Sequence, residues 1–501
     1  MDAANRPLVT RHWSLVTLFF ACVVFHILGT WSVPLIDRDE PRFAEASREM
    51  IERGDYVVPR FNNQLRLDKP PLAYWAQVAS YKIFGENDFA ARFPSAIAAA
   101  LVAIVILAWG DRIGGNRVGW WAAIIFTLSL QTFIHAKAAV ADMWLVLFMT
   151  TAHWAGWELI QRPTLNAQRP TSNSEALNQT SNIKHQTFWD WWIFYLSLAL
   201  GFLAKGPIAW TPLLTIGAVK FFQRDVQIAW RFKFVRGIAL MLAIVALWGI
   251  PALIQTHGDF FWIGIGRHVV GRSFNAMESH GSNSLGIYLL LLPFFFVTIF
   301  ASFFPWSIKL PSLTKKLWRE RDQTDLYLLC GAGVIFVIFT LIKTKLPHYI
   351  LPAFPLLALL AARHIDSERF LRIAATCAIC LYLTLELIAA PFAARFFPAK
   401  ELFQQAKQEL RPEMEFGAVE FQEPSLVWYF RSRAKGWMTT LNSKKAMEFM
   451  NQNGPRLVIL PTEMAEDAFP GPPPNWKTFT TTGFNIAKGK KVDLTLLLKP
   501  E

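Results

Sequence analysis

Apolar runs long enough to cross a bilayer recur along most of this chain, and no other feature restricts its fold as much. They lie near 15–31, 91–109, 118–133, 139–159, 188–203, 207–222, 237–254, 285–308, 326–342, 349–362 and 373–392. That is about eleven spans, several of them short for a hydrocarbon core of ~30 Å. A 53% hydrophobic composition with mean hydropathy +0.28 lies above the soluble-domain norm. The chain therefore reads as an all-α polytopic membrane protein. Arg6 and Arg11 precede the first run, which lacks a small-residue cleavage site and reads as an uncleaved signal-anchor.

The net charge is +13, but no purely basic tail or helix carries it, so nucleic acid is not an expected partner. The C-x-x-C spacing at Cys377 and Cys380 falls inside an apolar run and reads as two thiols in a membrane helix. No Walker loop is present, and no G-x-G-x-x-G follows a strand, which argues against ATP and dinucleotides.

Short-loop bases set the expected orientation. Lys220 and Arg231, then Lys309, Lys315 and Lys316, then Arg363, Arg369 and Arg372 fall on one side together with the N-terminus, the cytoplasm. The segment 162–186, rich in Asn, Gln, Ser and Thr, reads as a flexible loop on that side. The stretch after the first span, 34–90, then faces outward, and so does the tail. From 398 to 501 the pattern changes to short strands at 416–421, 425–430, 456–460 and 494–499 with a helix at 444–450, a small α/β domain. The membrane domain is 1–397.

The outward loop is dense in charge. It holds Asp37-Arg38-Asp39-Glu40-Pro41-Arg42 and Asp68-Lys69-Pro70-Pro71. Asp39 or Glu40 is expected to cap an amphipathic interfacial helix over 41–53, with Pro41 in its first position and Gly54 ending it. Such a cap places a carboxylate at the mouth of the membrane domain. Asp37 and Arg38 read as a surface pair. A second interfacial helix over 71–84 carries Tyr74, Trp75 and Tyr81 and stops at Gly85.

Bases also stand at the outward ends of spans, where the positive-inside tendency would not put them. They are Lys69, Lys137, Lys205, the group Arg267, His268 and Arg272, and the pair Lys343 and Lys345. Any one of them can be a snorkelling side chain. Five clusters on one face imply a pocket for an anionic group at the outer membrane surface. A lipid phosphate fits, because its tail stays in the bilayer, and Asp39 and Asp142 are the acids placed to work beside it. His348 reads as a helix-start residue.

The motifs Asp39-Glu-Pro-Arg-Phe-Ala-Glu45, Gly54-Asp-Tyr-Val-Val-Pro59, Asp68-Lys-Pro-Pro-Leu-Ala-Tyr-Trp75, Ala141-Asp-Met143, Leu203-Ala-Lys-Gly-Pro207 and Lys345-Leu-Pro-His-Tyr-Ile-Leu-Pro352 resemble, in order, the ArnT-like family. That family contains bacterial aminoarabinose lipid A transferases and relatives of the dolichyl-phosphate-mannose protein mannosyltransferases. The resemblance implies a GT-C fold in a bacterial inner membrane, with the C-terminal domain in the periplasm. It also implies an inverting glycosyltransferase that takes sugar from an undecaprenyl-phosphate-linked donor to a glycolipid or protein hydroxyl. By motif, Asp39 and Asp142 match the functional acids, with Glu40 as a third candidate. Arg42, Lys69, Lys205, Arg272, Lys345 and Tyr349 match the surroundings of the donor phosphate. Asp68 and His268 resemble a metal pair, which makes a divalent metal ion a candidate cofactor. The alternatives from other classes are a lipid-phosphate transporter, which would need polar groups along a path across the bilayer where here the charges cluster at the outer face, and a membrane scaffold, which leaves the acid pair unexplained.

Overall fold

The computed structural model describes residues 8–161, 173–223, 228–271 and 284–501. Among the described residues as far as Phe396 the regular structure is helical apart from one small hairpin. Among the described residues, five are long and apolar enough to cross a membrane: Asp88–Thr127, Thr187–Lys205, Trp230–Gln255, Gln323–Leu341 and Glu368–Phe396. The span expected over 139–159 is an unbroken helix, Asp142–Gln161, and several of the others are shorter or broken for local reasons. Asp88–Thr127 holds two expected spans, because Gly115 (φ 77°) reverses the chain and Gly110 packs on Gly119. Leu128 and Ser129 separate Thr127 from the short helix Leu130–Ala136. The run over 285–308 breaks before Phe294, at Pro293, which has no N–H to continue a helix. The loop expected over 162–186 lies outside the described residues at 162–172. Beyond that it is helical, because the helix Asn173–Lys205 starts well before its apolar part. Glu175, Ala176, Leu177 and Gln179 are the helix formers in its first turns, among Asn, Ser and Thr.

One end of the bundle is tied by bases. Arg363 pairs with Asp322 at 2.6 Å and also with Asp325. Lys316 reaches Asp366 at 2.7 Å, and Arg117 reaches Glu368 at 2.7 Å and the carbonyls of Ala362 and Ile365. Two of the three loops expected on one side, around 309–321 and 363–372, thus meet at one end, and Arg117 joins them there.

The first loop carries the helices Asp39–Arg53 and Leu72–Phe84, with a small hairpin between them. Gly54 closes the first helix in a left-handed conformation (φ 67°), as its place after Arg53 leads one to expect. The expected cap differs: the N-cap position is Arg38, no side chain caps it, and Pro41 stands third in the helix. The middle of this helix's charged face is not wetted. Glu45, Arg48 and Glu49 are buried, because the C-terminal domain covers them.

That domain begins with the helix Pro398–Ala406 and holds a five-stranded sheet. Its strand order is Met438–Leu441, Glu415–Val419, Arg456–Pro461, Lys490–Lys499, Lys477–Asn485; the first three run parallel and the last two pair antiparallel. The strand expected at 425–430 is a helix, Pro424–Phe430, with Pro424 in the first turn where its missing N–H costs nothing. All seven of its residues are buried, so its unbroken hydrophobicity reflects burial on every side rather than strand alternation. Leu426, Phe430 and Phe416 share one core with Leu35, Ala44 and Ala91 of the membrane part. Asp88 receives Trp428 Nε1 at 2.8 Å and the Tyr429 hydroxyl at 3.0 Å, and Lys400 at 3.0 Å. Asp37 and Arg38 do not pair with each other at the surface. Asp37 accepts from the Ser425 N–H and hydroxyl, and Arg38 reaches Glu423 at 3.4 Å.

Candidate functional site

A cavity of about 830 Å³ opens where the first loop meets the helix bundle. Asp68, Lys69, Asp142, Lys205, His348 and Tyr349 supply its polar groups. The remaining wall is mostly apolar. Leu214, Leu242 and Phe261 line it and are also exposed, so the cavity reaches the outer surface of the bundle.

Asp142 opens the helix Asp142–Gln161 and Lys205 ends the helix Asn173–Lys205. The two helices run antiparallel, so the start of one meets the end of the other. An acid at an N-terminus and a base at a C-terminus each complement the helix dipole, and here they also meet, Lys205 Nζ donating to Asp142 Oδ1 at 2.6 Å. Gly206 (φ 84°) then turns the chain away into Pro207–Trp210. Tyr349 sits in the turn Pro347–Ala353 with its ring 4.9 Å from that of Phe339.

Asp39, the first residue of its helix, is exposed and within electrostatic reach of Arg66 and Tyr74. Arg66 was not legible as a site residue. It is buried, donates to the Tyr74 hydroxyl at 2.8 Å and pairs with Asp68 at 3.2 Å, linking the Asp39 helix to the cavity wall. Arg42 is half-buried and acts electrostatically on Asp37.

Two expected site residues are spent elsewhere. The Glu40 carboxylate is buried and accepts from Arg92 at 2.7 and 2.9 Å and from the N–H groups of Ile36 and Ala139, both at 2.7 Å. Arg92 gives its other donors to the carbonyls of Thr30, Val33 and Pro34. Glu40 is thus a strut between the first loop and the approach to Asp142, with no oxygen left to face a substrate. Lys345 turns inward. Its ammonium donates to the carbonyls of Phe339, Thr340 and Ile342 at 3.0, 2.6 and 2.6 Å, closing the end of the helix Gln323–Leu341. Lys137, likewise, binds the Leu28 carbonyl at 2.5 Å and faces Glu386 at 3.6 Å.

Arg272 lies outside the described residues, as does the side chain of His268, whose backbone belongs to the helix Phe260–Gly271. Of the expected metal pair, only Asp68 can be placed, and Arg66 holds it. His348 stands at the start of the helix Pro347–Ala353, as expected, and also faces the cavity 4.8 Å from the ring of His135.

The family described as dolichyl-phosphate-mannose-protein mannosyltransferase matches residues 68–167, which include Lys69 and Asp142. An undecaprenyl phosphate-alpha-4-amino-4-deoxy-L-arabinose arabinosyl transferase of Erwinia tasmaniensis is 29% identical over 363 residues, 71% of this chain and 59% of that protein. A second such transferase, of Sodalis glossinidius, is 31% identical over 357 residues, 68% of this chain and 58% of that protein. The chain thus spans about three fifths of the length of these relatives. The crystal structure of ArnT from Cupriavidus metallidurans bound to undecaprenyl phosphate superposes with a TM-score of 0.72 at 18% identity, over 96% of this chain and 97% of that one. The chain therefore has the ArnT-like GT-C fold, and it is related in sequence to the undecaprenyl phosphate aminoarabinose transferases.

Proposed function

We propose that this chain is a membrane glycosyltransferase that moves a sugar from a polyprenyl phosphate to an acceptor hydroxyl at the periplasmic face of a bacterial inner membrane. One observation carries the reading: Lys69, Lys205 and Asp142 gather at the polar end of a cavity whose other walls are apolar and reach the outer surface of the bundle. A phosphate with a long hydrocarbon tail is the ligand with that division of chemistry. The orientation rests on the basic loops that meet at one end of the bundle, read as cytoplasmic.

In the proposed reaction the acceptor oxygen attacks the anomeric carbon from the face opposite the phosphate. The bond from that carbon to the phosphate oxygen breaks, and its electron pair leaves with the phosphate. Asp39, exposed at the start of its helix, takes the hydroxyl proton as general base. Lys69 and Lys205 offset the charge that grows on the departing phosphate, with Arg42 and Arg272 as further bases for it. Asp142, held by Lys205, orients the sugar or the acceptor. A lipid-phosphate transporter would need polar groups along a path across the bilayer; the charged groups Lys69, Asp142 and Lys205 instead lie together within electrostatic reach of His348.

Mass spectrometry of lipids and envelope glycoconjugates from cells lacking the chain, complemented with wild type or with Asp39→Asn, tests this. The polyprenyl-phosphate sugar should accumulate in the null and in the Asn strain, while one acceptor loses that sugar. If neither donor nor any acceptor changes, the transferase reading fails. Normal transfer by Asp39→Asn would remove Asp39 from the base role.

A further inference from the structure

One ligand atom from each of His135, Asp142 and His348 lies within 4.8 Å of the others, and the three residues come from three separate elements. His135 lies in the last turn of the short helix Leu130–Ala136, Asp142 starts Asp142–Gln161, and His348 sits in Pro347–Ala353. We propose that these three side chains form a divalent-metal site that opens on the cavity.

The donor set argues for it first. Two imidazoles and one carboxylate, with coordination positions left over, form the ligand set of an open, reactive site rather than a closed structural one. Imidazole nitrogen favours a borderline ion such as Zn²⁺ over Mg²⁺ or Ca²⁺, which prefer oxygen ligands.

Orientation is the second argument. His135 Nδ1 is held by its own helix, 3.2 Å from the Gln131 carbonyl and 2.9 Å from the Gln131 side-chain nitrogen. In the tautomer that donates Nδ1–H to the Gln131 carbonyl, with the Gln131 side-chain amide turned to present its oxygen, Nε2 keeps a lone pair to give. Metal-binding histidines are held in this way, by a carbonyl on the other nitrogen. On Asp142, Lys205 takes Oδ1 and leaves the second oxygen.

Access is the third. Asp142 and His348 both line the cavity, so an ion held there faces the space assigned to the phosphate. Charge balance agrees. Lys205 alone already offsets Asp142, so a dipositive ion leaves the site cationic, which suits an anionic ligand. This placement deepens the transferase reading and rests on it only for the identity of that anion. Neither Asp68 nor His268 is among its three ligands.

The test uses the full chain in detergent, stripped with a chelator, with Zn²⁺ and Co²⁺ as probes and Mg²⁺ for comparison. Bound metal is counted by mass spectrometry after dialysis. Wild type should hold one equivalent of Zn²⁺. His135→Gln and His348→Gln, each checked for a monodisperse fold, should bind at least about tenfold more weakly, while Asp68→Asn should bind as wild type does. Co²⁺-loaded wild type should show the visible bands of a nitrogen-ligated ion. No stoichiometric Zn²⁺, binding that survives both histidine variants, loss in Asp68→Asn, or a Co²⁺ spectrum of an oxygen-only shell would each overturn the site.

A parallel transfer assay with a polyprenyl-phosphate sugar separates the two readings. Transfer by a chain that binds no metal sinks the metal site alone. A chain that binds as expected but uses no such donor keeps the site and sinks the transferase.

Discussion

Two regions of this molecule bury charge, and they do so to opposite ends. In the seam between the Asp39–Arg53 helix and the C-terminal domain, Arg431 pairs with Glu45 and reaches Glu52 at 2.8 Å. Arg48 joins Glu45 at 2.8 Å, the Trp428 carbonyl at 2.9 Å and Glu86 at 3.0 Å. Trp437 and Trp428 cover the two guanidinium groups at 3.8 and 3.9 Å. Both guanidinium groups there have carboxylate partners and an aromatic lid. At the cavity, Asp142 and Lys205 also pair, but they stand against open space. Burial of charge alone does not mark a site; what separates the two regions is whether the partners close the space or leave it.

Breaking the closed region should produce the larger thermodynamic effect. Arg431→Met leaves Glu45 buried without one of its two guanidinium partners, and removing one member of a buried pair costs about 3–5 kcal/mol. The thermal midpoint and the protease resistance of the C-terminal domain should both fall. An unchanged midpoint would mean that the seam is wetter than its burial indicates.

Lys205→Met sharpens the contrast from the other side. Turnover should fall by roughly 10²–10³, while the midpoint moves much less than in Arg431→Met. If the midpoint falls just as far, the cavity pair is a strut like the seam.

The smallest effect is one of pH. Burial pushes the Asp37 carboxyl up to about 7, and burial together with the Glu45 charge does the same to Glu49. Both carboxyls bind protons more tightly folded than unfolded. Their contribution is fully present below the ordinary carboxylate range and is lost as pH rises through about 7. Docking of the C-terminal domain should therefore be tighter at pH 6 than at pH 8, read as a lower midpoint at pH 8. Asp37→Asn combined with Glu49→Gln should flatten that slope; an unchanged slope would place its origin elsewhere.

The same comparison shows which parts were legible in the sequence. Lys69, Asp142, Lys205 and Tyr349 stand where apolar runs give way to polar loops, and the structure gathers them on one cavity. Lys345 carries the same signal, a base at the end of a span, yet serves carbonyls within its own turn. A linear pattern records that a charge is out of place but not which way it points. The helix end at Gly54 was legible because the cause is local. Arg66, Arg92 and His135 were not, because each takes its meaning from residues distant in the chain. The strand expected at 425–430 failed on a uniform hydrophobicity that fits any fully buried segment.

The strut at Glu40 has a consequence for how such a molecule can change. One carboxylate fastens the turn that leads to Asp142, the stretch before the Asp39 helix and, through Arg92, the Asp88–Thr127 helix. The two acids proposed to act on the sugar and its acceptor are thereby mounted on a single block. Their spacing does not depend on the loops around them, so those loops are free to be rebuilt for a new acceptor without detuning the pair. Versatility of substrate and constancy of chemistry meet in one residue that touches neither.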